Sequence, residues 1–133
     1  GNDNILLELV FPEQFLGGAM FVKEIDASAL KARIDAGEDI ALVDIRSDAE
    51  VAQGILPNAE HLAMHLIPLR MHDLPKDKDV VLYCRSGARS YHACNFLGQQ
   101  GVHNAINLHG GIIAWARLGY EIAAPQQQRA GMM

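Results

Sequence analysis

Three short stretches constrain this chain more than anything else in it: Ile40-Ala41-Leu42-Val43, Val80-Val81-Leu82-Tyr83 and Ala105-Ile106-Asn107-Leu108. Each is too short for a typical helix, and none alternates polar with apolar as a strand with one wet face does. Nearly continuous apolar runs of this length come from strands covered on both faces, which occur chiefly in parallel sheets. Two weaker strands, Phe21–Ile25 and His61-Leu62, join them. Helical segments fall between. Asp26 or Ser28 can cap a helix carrying Leu30 and Ile34, with Gly37 as its stop. Ser47 or Asp48 caps a short helix through Gln53, a helical stretch runs from about Met64 to Met71, and Ser90 opens another over 90–97. Gly110-Gly111 starts a last helix with Ile112, Trp115 and Leu118 inward. Repeated strand-then-helix units of this kind predict an α/β fold: an open, mostly parallel sheet of about five strands with helices on both faces. In such sheets ligands bind beyond the carboxyl ends of the strands.

With 133 residues, half of them apolar, there is material for one core. We assign it to residues 20–122. Residues 1–19 read as a partly helical N-terminal extension: Ile5–Phe11 could form a turn or two before Pro12 and Gly17-Gly18 interrupt. Residues 123–133, with Gln126-Gln127-Gln128, read as a disordered tail. A formal charge of −5 argues against nucleic acid or an anionic membrane as main partner. No apolar run approaches the length of a membrane span. Two cysteines, Cys84 and Cys94, make no disulfide framework, so a reducing and hence cytoplasmic setting is the simpler expectation.

The chemistry concentrates in Cys84-Arg85-Ser86-Gly87-Ala88-Arg89-Ser90, directly after the apolar run that ends at Tyr83. A thiol there sits at a strand's carboxyl end, in a loop with a central glycine and two arginines. Helix N-terminal amides, nearby guanidinium groups and a glycine that lets the backbone curl would all favour the thiolate, the reactive form of cysteine. Such a loop can lower a cysteine pKa from about 8.5 by one or more units. No residue in it is an obvious general base, and a thiolate already formed needs none. The loop is a nucleophile and an anion cradle together, suited to phosphate and to sulfur alike.

Four segments in order resemble the single-domain rhodaneses, sulfurtransferases of the thiosulfate:cyanide type. They are Leu42-Val43-Asp44-Ile45-Arg46, Gly54-Ile55-Leu56-Pro57-Asn58-Ala59, the cysteine loop, and Leu108-His109-Gly110-Gly111-Ile112-Ile113-Ala114-Trp115. One departure is visible: where many members have Gly-His-Ile, this chain has Gly54-Ile55-Leu56. The resemblance implies that Cys84 accepts a sulfane sulfur and holds it as a persulfide. It implies that the backbone N–H groups of Arg85, Ser86, Gly87, Ala88 and Arg89 bind the donor oxygens or the outer sulfur. Arg85 and Arg89 would supply positive potential, while Asp44 and Arg46 form a supporting pair and Ser90 supports the loop. The implied partners are a small anionic donor such as thiosulfate and, in a sulfur-trafficking role, a protein donor or acceptor. No cofactor and no metal is called for.

Two rival classes share this fold. Cysteine-dependent phosphatases and arsenate reductases encircle a tetrahedral oxyanion with a loop one residue longer; only four residues separate Cys84 from Arg89 here. Non-catalytic rhodanese-like binding modules usually lack the nucleophile, which this chain keeps. Elsewhere Cys94 reads as a packed thiol on a helix, and Trp115 as core. His61 and His65 have i, i+4 spacing, with His72 and Asp73 downstream, but no third ligand at fixed spacing, so they are expected to face solvent. His109 is expected to line the pocket.

Overall fold

The computed structural model describes residues 21–125. Five strands form one sheet: β1 Lys23–Asp26, β2 Ala41–Asp44, β3 Glu60–His61, β4 Val80–Tyr83 and β5 Ala105–His109. Their order is β1-β5-β4-β2-β3, and every pairing is parallel. Among the described residues the helices are α1 Ala27–Asp35, α2 Asp48–Val51, α3 Ile67–Arg70, α4 Ala88–Gln99 and α5 Gly111–Arg117, with 3-10 turns at Met64–Leu66 and Met71–Asp73 flanking α3. This is the open α/β sheet the apolar runs predict.

Strand alternation divides the core in two. Leu42, Val81, Tyr83, Ile106 and Leu108 pack with Leu30 of α1 and with Ile112 and Trp115 of α5. Val43, Val80, Leu82, Cys84 and Ala105 pack on the opposite face with Ala93, Cys94 and Leu97 of α4 and with Ile67. β4 is buried at all four positions because both of its faces and both of its edges are covered. Removing a side chain here, as in Leu82→Ala, opens a cavity and costs about 2–5 kcal/mol.

Several boundaries differ from expectation, each for a local reason. β1 begins at Lys23, leaving Phe21 78% exposed; at the sheet's edge only Ile25 turns even partly inward. Asp26 caps α1 by accepting from the Ala29 N–H at 2.8 Å. Ser47 caps α2 with a reciprocal capping box to Glu50, and the helix stops at Val51. The stretch expected as one helix from Met64 to Met71 is broken, since Pro68 has no N–H to continue the hydrogen-bond ladder. α4 starts at Ala88 rather than Ser90, because Gly87 at φ 99° turns the chain straight into it. Leu118 is 52% exposed rather than inward. It follows the last residue of α5, and Tyr120 instead covers Trp115 edge-on, ring centroids 5.0 Å apart. Ala123, which the sequence assigns to the disordered tail, exchanges backbone hydrogen bonds with Ile55 at 2.9 and 2.7 Å. The extension at 1–19 and the tail from 126 onward lie outside the described residues.

Candidate active site

Cys84 ends β4 and is buried, with 1% of its surface exposed. Its Sγ accepts from the Gly87 N–H at 3.1 Å and faces the Ser90 hydroxyl at 3.4 Å. Burial pushes the thiol up, but the hydroxyl and amide of Ser90 and the amides of Gly87 and Ser86 outweigh it, leaving Cys84 below the ordinary thiol value. Of the amides expected at 85–89, those of Ser86 and Gly87 turn toward Sγ, and the Ser90 amide joins them.

The loop is clamped from behind by the turn before α5. The Ile112 N–H donates to the Cys84 carbonyl at 3.0 Å and the Ile113 N–H to the Arg85 carbonyl at 3.1 Å. A Cβ on Gly111 would lie 2.3 Å from the Arg85 carbonyl oxygen, so only glycine permits this approach. Gly87 is confined in the same way: its Cβ would lie 3.1 Å from the Gly110 nitrogen and 3.2 Å from the Leu108 carbonyl. Two glycine-bearing turns from distant parts of the chain therefore pack backbone against backbone.

The two arginines of the loop differ in their partners. Arg89 Nη1 and Nη2 donate to the two oxygens of Glu50 at 2.9 and 2.8 Å. Arg89 holds the Glu50 carboxyl far below the usual range, at about 2, so the pair is ionised throughout neutral pH. Its charge is thus shared with a carboxylate. Arg85 is exposed, and among the described residues no carboxylate pairs with it. Ala88 is exposed in the first turn of α4.

Asp44 and Arg46 do form a pair at the sheet's carboxyl edge. Asp44 is fully buried and Arg46 6% exposed. Arg46 Nε donates to Asp44 Oδ1 at 3.0 Å, and Nη2 to Asp44 Oδ2 at 2.7 Å and to the Gly54 carbonyl at 2.6 Å. Burial opposes the charged guanidinium, yet the bonds and charge of Asp44 keep Arg46 above its ordinary value. Between the two, the Ile45 N–H donates to the Tyr83 carbonyl at 3.1 Å, joining this corner to the residue before Cys84. The Tyr83 hydroxyl accepts from the Leu56 N–H at 3.0 Å, anchoring the turn that follows Gly54.

Three contributors escape a reading of the sequence. Asn107 on β5 spans the cysteine loop: its Oδ1 accepts from Ser90 Oγ and its Nδ2 donates to the Gly87 carbonyl at 3.2 Å. It therefore holds two of the three residues that face Sγ, Gly87 and Ser90, and Glu24 Oε2 accepts from the same Nδ2 at 2.8 Å. The available signal was a polar residue inside a buried apolar run, which demands partners. Glu50 was visible only as the far end of a Ser-x-x-Glu capping box. His61, expected in solvent, is part-buried and donates through Nε2 to the Arg46 carbonyl at 2.6 Å, so its tautomer carries that proton. His65 and His72 are exposed, and among the described residues no three His, Cys, Asp or Glu side chains gather as a metal site would need. His109 is largely exposed and lines a separate shallow cavity with Ser86 and Arg117. Cys94 is buried, and burial pushes its thiol up to about 12.

Residues 26–118 match the family model of the rhodanese-like domain. The chain belongs to this family. It is 60% identical over 105 residues to a sulfurtransferase of Allochromatium vinosum, covering 79% of this chain and 98% of that protein. It is 47% identical over 96 residues to YtwF of Bacillus subtilis, covering 72% and 92% respectively. Among solved structures, the rhodanese-like domain protein of Staphylococcus aureus superposes with a TM-score of 0.70 at 31% identity, covering 77% of this chain and 98% of that one. The resemblance drawn from the four segments and the architecture drawn from the apolar runs thus agree with the rhodanese-like relatives.

Proposed function

We propose that this rhodanese-like domain is a sulfurtransferase that carries sulfane sulfur on Cys84. The observation that carries the proposal is a buried thiol, lowered below its ordinary pKa by the donors of Ser86, Gly87 and Ser90, at the carboxyl end of a central strand. The thiolate attacks the outer sulfur of thiosulfate or of a persulfide donor. A Cys84–S bond forms as the donor's S–S bond breaks, and sulfite or a thiolate leaves with the electron pair. A thiophilic acceptor, small or a protein, then attacks the outer sulfur, and the Cys84 thiolate departs. Each half-reaction exchanges one bond to sulfur for another and needs no general base, metal or cofactor.

The amides that favour the thiolate also face the negative charge of the persulfide, and held in place by Asn107 and the Gly110-Gly111 turn they need no reorganisation as charge moves. Arg85, Ala88 and Arg89 complete the donor-binding rim; Asp44, Arg46 and Ser90 support it. Two free cysteines suit a reducing compartment such as the cytoplasm. The catalytic unit is residues 20–122, so a chain beginning at Met20 retains transfer.

The test is thiocyanate formation from thiosulfate and cyanide. Cys84→Ser abolishes it if the proposal holds. Hydrolysis of p-nitrophenyl phosphate that depends on Cys84, without thiocyanate formation, would instead assign the loop to phosphate chemistry.

A further inference from the structure

A chain of hydrogen bonds runs from the edge of the sheet to the nucleophile. Asn107, 1% exposed, stands on β5 opposite Glu24 of the edge strand β1. The two hydrogens of its Nδ2 go to Glu24 Oε2 at 2.8 Å and to the Gly87 carbonyl at 3.2 Å. At the other end of the amide, Oδ1 accepts from Ser90 Oγ. These partners fix which way the amide points: turned over, its oxygen would face a carboxylate and a carbonyl, acceptor against acceptor. Glu24 is the nearer of the two acceptors and carries charge, and such bonds are roughly twice as strong as neutral ones. His109 Nδ1 stands 3.6 Å from the same Glu24 oxygen, beyond hydrogen-bond reach.

The inner end of the chain holds a conflict. Ser90 has one hydroxyl proton, Asn107 Oδ1 has none to offer, and Sγ lies 3.4 Å from the Ser90 oxygen. Whatever strengthens Oδ1 as an acceptor therefore withdraws donation from the thiolate. A carboxylate bound to Nδ2 does this, because linked hydrogen bonds polarise one another and shift electron density onto the carbonyl oxygen. The division of that proton matters to both half-reactions. Cys84 attacks in the first and departs in the second, and a less basic thiolate attacks more slowly but leaves faster.

We propose that Glu24 is a positioning residue for sulfur transfer: through Asn107 it sets how the proton of Ser90 is divided between Asn107 and the Cys84 sulfur. The inference rests on sulfur transfer through Cys84 and deepens it. Glu24 acts without touching Sγ, and its place on an edge strand puts the control of the nucleophile at the rim of the sheet.

The experiment measures iodoacetamide alkylation of Cys84 against pH in the full chain, in Glu24→Ala, in Ser90→Ala and in the double variant. The Glu24 side chain is 37% exposed, so its removal leaves the core intact. Without the carboxylate, Asn107 holds the Ser90 proton less firmly. Below the midpoint, Glu24→Ala should react about two- to threefold faster than wild type. In the Ser90→Ala background the same substitution should change nothing, because the link is gone. The gain should persist at about 1 M salt, which screens a charge acting only through space. A rate in Glu24→Ala equal to or below wild type, an equal shift with and without Ser90, or a shift that salt removes overturns the inference. Each of these outcomes leaves sulfur transfer standing, since alkylation reads the thiol alone. Should Glu24→Ala not fold, Glu24→Gln, which keeps a neutral acceptor for Nδ2, goes through the same cycle with the same expected sign. Wild-type protein that forms no thiocyanate would overturn the sulfurtransferase reading instead.

Discussion

Replacing Ser90 by alanine isolates the largest side-chain contribution to the reactivity of Cys84. The Ser90 hydroxyl lies 3.4 Å from Sγ and is fully buried, so no water takes its place. A hydrogen bond to a charged group contributes about 1.5–3 kcal/mol. The hydroxyl has one proton and two claimants, Sγ and Asn107 Oδ1, so the lower end of that range applies. At about 1.4 kcal/mol per unit, the thiol of Ser90→Ala should titrate roughly one unit higher than that of the wild type. Alkylation by iodoacetamide as a function of pH reads this directly, because Cys94, pushed up to about 12, stays silent. Below both midpoints the variant should react about tenfold more slowly; well above them the two proteins should react alike. The orphaned Asn107 carbonyl should also cost about 1–3 kcal/mol of stability, seen in urea unfolding. A folded variant whose midpoint is unchanged or lower would refute the assignment and leave the lowering to the backbone amides.

Glu50, held at about 2 by Arg89 against an ordinary 4.5, stabilises the fold above pH 4.5, and that contribution is lost as pH falls toward 2. Glu50→Gln should therefore flatten the pH dependence of unfolding across this window, and an unchanged slope there would contradict the pair. Gly111→Ala forces its Cβ to within 2.3 Å of the Arg85 carbonyl, so the cysteine loop must shift. A displacement of this order should lower persulfide formation about a hundredfold, measured by single-turnover kinetics in protein whose circular dichroism is native. Asp44→Asn removes the partner of a buried guanidinium and should cost about 3–5 kcal/mol in urea unfolding. Cys94→Ala should leave the alkylation profile in place, since the reactive thiol is the other one.

What the sequence shows and what it hides separate along physical lines. Val80–Tyr83 is legible because a strand covered on both faces leaves a run without alternation, and its end places Cys84 at the sheet's carboxyl edge. Ser47 and Asp26 are legible as caps because capping is a contact over three residues. The partner of Arg89 is not legible: its loop position suggests a role toward the anion, while Glu50 comes from a helix 39 residues away and competes for the same charge. Asn107 is half legible, since a polar residue in an apolar strand announces a need for partners without naming Ser90 and Gly87. The clamp of Gly111 on the Arg85 carbonyl depends on an approach of two backbones that only the folded chain reveals. Leu118 misleads because helical periodicity continues on paper past the point where α5 ends.

The central claim is that sulfur rides on Cys84, and intact mass spectrometry after incubation with a sulfane donor tests it most directly. Wild-type protein should gain the mass of one sulfur atom, mapped to Cys84, and lose it on addition of cyanide, while Cys84→Ser gains nothing. No adduct on folded wild-type protein with fresh donor, or an adduct mapped to Cys94, would contradict the account.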